Sequence, residues 1–236
     1  MTGREETGGS ARRGADAALV VAGPVNAEAR WPMAMAVIVA VGLQLCKPEW
    51  LLISPGWISP IVWSMLLCSL ILADPGKIDD RSRRLRVLSI VLVSLMALGA
   101  LEATVALVGE LIHGGANTDS AATLLTASAI VWGQNGIAFS LLYWEFDGGG
   151  SAARAHGLPK FPDFAFPQTL TPEVAPPEWR PRFVDYLYLG FTNTTAFSPT
   201  DVMPLSRWTK LLTAVQAMES IAILVLVVGR AVNVLT

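Results

Sequence analysis

The stretch that decides the fold is residues 183–204, FVDYLYLGFTNTTAFSPTDVMP, which leads into a long apolar segment at residues 211–235. Its first half is aromatic and apolar, which favours a helix. Its second half is rich in Thr, Ser and Pro, which favours a turn. The apolar segment that follows is long enough to cross a bilayer. The stretch therefore predicts a short half-helix that enters a membrane and turns, followed by one complete span.

The composition of the 236-residue chain is typical of a membrane protein. Hydrophobic residues make up 53% of it, charged residues make up 15%, and the mean hydropathy is +0.49. Such a chain does not fit the pattern of a soluble core under a polar surface. We therefore expect a lipid bilayer as the main partner, no nucleic-acid partner and a single membrane domain.

Four further apolar runs, each flanked by polar or aromatic residues, predict four more spans: residues 31–46, 57–73, 87–112 and 121–144. The fold class expected is therefore all-α, a polytopic helical bundle of about five full spans plus a re-entrant half-helix. The alternative is six spans, if residues 183–197 cross completely. Tyr143 and Trp144 are expected to form an interfacial aromatic belt, and Cys46 and Cys68 to be buried thiols.

The segments between the spans complete the domain organisation. Residues 1–30 lack the apolar core of a signal peptide and predict a disordered N-terminal tail. Residues 31–144 form a four-helix membrane region and residues 183–236 the half-helix and last span. Between them, residues 145–182 contain three consecutive glycines and many prolines and predict an irregular connector. Five Lys or Arg residues in the loop at 74–86 place this loop, and with it the N-terminus, on the cytoplasmic side.

Residues 186–212 resemble the pore-helix, filter and inner-helix region of tetrameric potassium-channel-type proteins. The resemblance is carried by YLYLGFTNTT at 186–195, SPTD at 198–201 and VMPLSRWTKLL at 202–212. By position, Thr194 and Thr195 match the filter threonines, Asp201 the closing aspartate, and Pro204 and Arg207 the entry to the last helix. The rest of the chain resembles only in general small bacterial multi-span proteins. The resemblance implies a homo-oligomer, a tetramer if channel-like, that binds monovalent cations in a bacterial cytoplasmic membrane.

The stretch that matches the filter departs from the potassium-channel pattern. Residues 196–200, AFSPT, contain no glycine and include a proline, so they should not form a cage of backbone carbonyls. Ions would then contact side chains. The pore-like or filter-like candidates are Thr192, Asn193, Thr194, Thr195, Ser198 and Asp201. The alternative is that these residues form an ordinary turn before a helix N-terminus.

Two carboxylates, Glu102 and Glu219, lie within the predicted spans. A charged group at the bilayer centre is costly, so each should face protein or water. Gln134, Asn135 and Gln216 are placed to hydrogen-bond them. One hypothesis is a polar track in which the carboxylates bind a cation or relay a proton. The other is a static hydrogen-bonded cluster between helices.

Enzymatic function finds no support in the sequence, because HExxH, GxSxG, P-loop and clustered His/Cys motifs are missing. No catalytic residue, cofactor or metal site is therefore expected. The sequence predicts an ion-channel-like membrane protein with a non-standard filter that conducts cations. The alternatives are a secondary transporter and a non-conducting structural or partner-binding membrane protein.

Overall fold

A computed structural model describes residues 27–52, 54–74, 77–78, 82–114, 120–157, 161–177 and 179–235. The chain is mostly helical (77%), which confirms the all-α fold class. The predicted disordered tail lies almost entirely outside the described residues.

In these ranges the chain forms eight α-helices: α1 (Trp31–Leu45), α2 (Ile58–Ala73), α3 (Arg83–His113), α4 (Ala121–Phe146), α5 (Ser151–Ala155), α6 (Pro167–Leu170), α7 (Phe183–Ala196) and α8 (Arg207–Leu235). Three short 3-10 helices lie at Glu49–Leu51, Asp147–Gly149 and Pro172–Val174. Two short antiparallel pairs join β1 (Glu28–Ala29) to β2 (Lys77–Ile78) and β3 (Phe164–Ala165) to β4 (Met203–Pro204). These short strand pairs hold loops together and do not form the core of the protein.

Each predicted apolar run forms a helix with nearly the predicted bounds. Among the described residues, three helical stretches are long and apolar enough to cross a membrane: Arg83–His113, Ala121–Gly149 and Arg207–Arg230. Helices α1 and α2 are also apolar but have only 15 and 16 residues. At 1.5 Å per residue they are about 23 Å long, which is less than a typical hydrocarbon core of about 30 Å.

Helix α4 is the centre of the fold, since it packs against α1, α3, α7 and α8. Tyr143 and Trp144, near its end, are both fully buried and stack edge-on against Phe164 and Phe183. The prediction that they form an interfacial belt was therefore wrong. Cys46 and Cys68 are exposed on the chain, so the prediction of buried thiols was wrong as well.

One end of the bundle, which we call the basic end, is where α1 and α3 begin and α2 and α4 end. Arg30, just before α1, forms a buried ion pair with Asp74 after α2. Ser89 near the start of α3 donates a hydrogen bond of 2.6 Å to Glu145 near the end of α4. These contacts join α1 to α2 and α3 to α4 at this end of the bundle.

Helix α7 begins at the basic end, where the hydroxyl of Tyr186 donates to the carboxylate of Asp147. It runs antiparallel to α4 and ends near Gly136, against which Thr194 packs. Gly136 lies ten residues before the end of α4, so Thr194 lies about 15 Å from that end, and the tip of α7, a helix of 14 residues, lies about 20 Å from the basic end. The chain then returns to that end, where β4 pairs with β3 and α8 begins. Helix α7 is thus re-entrant with respect to the bundle, which differs from the six-span alternative.

Candidate functional site

A group of buried polar side chains, which we call the half-helix clamp, fastens α7 to α4 and α8. It consists of Tyr143, Asn193, Thr194 and Gln216, which are at most 2% exposed. Gln216 accepts hydrogen bonds from the Tyr143 hydroxyl (2.6 Å) and the Asn193 amide (2.7 Å). Its own amide donates to the Thr194 hydroxyl (2.8 Å) and to the Gly190 carbonyl (3.1 Å). All three helices are therefore tied together through one glutamine.

The half-helix clamp holds the first of the filter-like residues within α7. Thr194 and Thr195 are inside α7, and their hydroxyls donate to the carbonyls of Gly190 and Phe191 one turn earlier. Neither threonine is in an extended, filter-like backbone. The structure buries Asn193 and Thr194 within the chain, half-buries Thr192 and leaves Thr195, Ser198 and Asp201 exposed.

Residues 197–206, which we call the return segment, connect the tip of α7 to α8. Phe197 and Thr200 have φ angles of 56° and 54°, in the left-handed region that non-glycine residues rarely occupy. Ser198, Thr200 and Asp201 are exposed, and Thr200 donates a 2.9 Å hydrogen bond to Asp201. The return segment thus presents a polar, irregular surface beside the tip of the half-helix.

Two aspartates that the sequence analysis did not single out order the connector. Buried Asp147 accepts hydrogen bonds from Tyr186 and from the backbone N–H groups of Asp163 (2.8 Å) and Phe164 (3.2 Å). Asp163 in turn accepts from the indole N–H of Trp208 on α8 (3.0 Å) and, through its carbonyl, from the N–H of Leu205 (2.8 Å). The connector therefore holds the starts of α7 and α8 and the end of the return segment in place.

The basic end also contains a half-buried carboxylate, Glu28 of β1, beside the start of α7. Glu28 accepts hydrogen bonds from the Trp144 indole (2.9 Å) and from the backbone N–H of Phe183. Burial raises the pKa of Glu28 above its usual value, although both hydrogen bonds oppose the shift. Glu28 thereby links the segment before α1 to the entry of the half-helix.

A second polar cluster, which we call the Glu219 cluster, lies where α3, α4 and α8 meet. Asn135 on α4 donates to one carboxylate oxygen of Glu219 on α8, and the Thr104 hydroxyl on α3 lies 3.5 Å from the same oxygen. Glu219 is 8% exposed and Asn135 is fully buried. Two of the predicted residues, Asn135 and Glu219, are therefore in direct contact. Thr104 was missed, because a threonine in an apolar helix gives no distinct signal.

The other predicted polar residues lie apart from this cluster. Glu102 and Thr104 are two positions apart on α3, so at about 100° per residue they point to nearly opposite sides. Glu102 interacts electrostatically with Lys47, in the loop after α1. Gln134 donates a 2.9 Å hydrogen bond to Gln44 on α1. Glu102 and Glu219 consequently do not share one continuous track.

Lys47 should make stability depend on pH. Burial lowers the pKa of Lys47 to about 8, against the opposing effect of Glu102. Between pH 8 and 10.5 the unfolded chain therefore binds more protons at this side chain than the folded chain, so stability should rise with pH. From pH 7 to 9.5 the gain should be about 2 kcal/mol. Thermal denaturation in detergent measures it, and Lys47→Met should remove the rise. An equal rise in Lys47→Met would contradict the assignment.

Comparisons of the chain with protein-family models, with curated proteins and with solved structures gave no match. The class is therefore defined by the structure itself: a mostly helical protein in which, among the described residues, three helices are long and apolar enough to cross a membrane, with two buried polar clusters. A function has to be argued from these sites, because a fold alone does not define one.

Proposed function

We propose that the chain is an integral membrane protein that assembles into a homo-oligomeric, cation-permeable pore. In this assembly α7 and the return segment of each copy surround the central axis. The observation that carries the proposal is the exposed polar return segment beside a half-helix that ends well inside the bundle.

The argument depends on hydrogen bonding in lipid. The tip of α7 lies about 20 Å from the basic end, which is well inside a hydrocarbon core of about 30 Å. Irregular backbone at such a depth is tolerated only where protein covers it or where it lines a water-filled cavity. On the single chain, Ser198, Thr200 and Asp201 are exposed. Neighbouring copies around an aqueous vestibule would provide both the cover and the water.

The distribution of charge supports an orientation. Basic residues are concentrated at the basic end: Arg30, Arg83, Arg84, Arg86, Arg154, Arg180, Arg182, Arg207 and Lys210. The far end has few, such as Lys47 and Arg230. Since Lys and Arg near span ends are retained in the cytoplasm, the N-terminus and the entry to α7 face the cytoplasm. The half-helix thus enters from the side opposite to that of a potassium-channel pore loop.

The available side chains suggest weak selectivity. With Asn193 and Thr194 committed to the clamp, the hydroxyls of Thr195 and Ser198 and the carboxylate of Asp201 are left for ions. Acidic rings favour cations over anions but distinguish poorly among monovalent cations. We therefore expect both Na⁺ and K⁺ to pass.

Disulfide cross-linking in proteoliposomes tests the assembly. In a background without Cys46 and Cys68, Ser198→Cys should give cross-linked products because the return segments of neighbouring copies meet near the axis. Met65→Cys, which is also exposed but lies on α2, is the matched control and should give none. The same liposomes should show cation flux, and Asp201→Asn should reduce it severalfold.

Two results would refute the proposal. A stable monomer in nanodiscs, with no cross-link at position 198, would show that the proposed homo-oligomer does not form. A cross-linked oligomer without flux would leave a pore-like protein that does not conduct.

A further inference from the structure

The Glu219 cluster contains side-chain oxygen atoms that accept no hydrogen bond from the described part of the chain. Among the described residues, one carboxylate oxygen of Glu219 and the side-chain oxygen of Asn135 are buried and have no hydrogen-bond partner. The Thr104 hydroxyl donates to the carbonyl of Ala100 (3.0 Å), so its lone pairs remain for another group. Buried polar atoms are nearly always paired, so two neighbouring unpaired oxygens on α4 and α8 need an explanation.

The negative charge that Glu219 carries when it is ionised also needs a partner. In the part of the chain that the structure describes, no cationic side chain forms an ion pair with Glu219. The Asn135 amide and the Thr104 hydroxyl both lie on one oxygen of the Glu219 carboxylate, which leaves the second oxygen free to contact a cation. An ionised carboxylate that is 8% exposed and lacks a counter-charge is unfavourable at this depth.

We propose that the Glu219 cluster is a binding site for one small monovalent cation of the size of Na⁺. The ligands would be Glu219, Asn135 and Thr104, one from each of α8, α4 and α3. Carboxylate, amide and hydroxyl oxygens suit hard cations, and a single carboxylate balances a single positive charge. The cluster lies within one chain, so this site does not depend on the proposed pore.

The site would also couple three helices, because its ligands come from each of them. Gln216, one turn before Glu219 on α8, belongs to the half-helix clamp. Occupancy of the cation site would therefore fix the part of α8 that holds α7.

Binding of radioactive Na⁺ to the purified protein in nanodiscs at pH 8 tests the proposal. The wild-type chain should bind Na⁺ saturably, with competition by Li⁺ and little by choline. Glu219→Gln, which keeps the size of the side chain, should weaken binding by at least about tenfold, since even indirect partners of metal ligands contribute about 10- to 100-fold. Thr104→Val, which replaces a hydroxyl by a methyl group, should weaken it less.

Glu102→Gln is the matched control, because it removes the other carboxylate of the same membrane region and should leave Na⁺ binding unchanged. Normal binding in a folded Glu219→Gln variant would overturn the proposal. So would a wild-type chain that binds no Na⁺ and whose stability responds to pH alone, since the occupant would then be a proton. Cross-linking at position 198 reports separately on the pore, so the two proposals can fail independently.

Discussion

Gly190→Val is expected to detach the half-helix from α4. Gly190 faces Ser140, and a side-chain Cβ at this position would overlap the Ser140 hydroxyl and lie 3.0 Å from the backbone carbonyl oxygen of Gly136. The backbone of the central helix cannot move aside, so the cost should reach the upper part of the range for overpacked sites, about 3 kcal/mol. The close approach of α7 and α4 thus requires glycine at position 190, as small residues permit in membrane helix pairs.

Thermal denaturation in detergent, together with hydrogen exchange of α7 amides, measures this effect. The control is Gly42→Val on α1, where a Cβ has no neighbour within 4 Å, and its stability should change by less than about 0.5 kcal/mol. Adding Ser140→Gly to Gly190→Val should recover part of the loss, because it removes the nearest side-chain contact. An unchanged melting temperature in Gly190→Val would show that α7 does not pack on α4 as described.

The helices were predictable because each is a long apolar run bounded by polar or Pro-containing loops. Helix α7 was predictable from its aromatic first half and the Thr-rich turn, and it ends at Ala196, one residue before the predicted bound. The return of the chain to the basic end after α7 could be seen only in the structure. The pairing of β3 with β4, which brings the chain back to the basic end, joins residues about 40 apart and leaves no periodic pattern in the sequence.

The polar clusters were predicted only in part. The sequence showed that Glu102 and Glu219 were unusual residues for apolar helices but not in which direction each points. That direction depends on helix rotation, and it places Thr104 rather than Glu102 beside Glu219. Likewise, the tyrosine predicted to lie at an interface, Tyr143, is a buried partner of Gln216.

The filter-like interpretation was limited in the same way. Thr194 and Thr195 match filter threonines by position, yet both continue the helix. Their hydroxyls bond to carbonyls one turn back, a local alternative that threonine has in any helix. The relation to the potassium-channel family remains a prediction.

The second large effect is expected for Gln216→Leu. Leucine is similar in size but removes four hydrogen bonds, so the Tyr143 hydroxyl loses its acceptor and the Asn193 amide keeps the Thr213 carbonyl (3.0 Å) as its main one. A buried polar group left without a partner costs about 1–3 kcal/mol. With two helices affected, the total should be about 2–4 kcal/mol, even though single hydrogen bonds between membrane helices average only about 0.6 kcal/mol.

This loss should be local, because Gln216 joins α7 to a bundle in which α1 to α4 are held together by contacts of their own. Hydrogen exchange should therefore accelerate in α7 and the return segment while α3 and α4 stay protected. Met218→Leu, on the exposed side of α8, is the matched control and should leave exchange unchanged. Acceleration of the same size in every helix would contradict a local clamp, since it would mean that Gln216 supports the whole bundle rather than the docking of the half-helix.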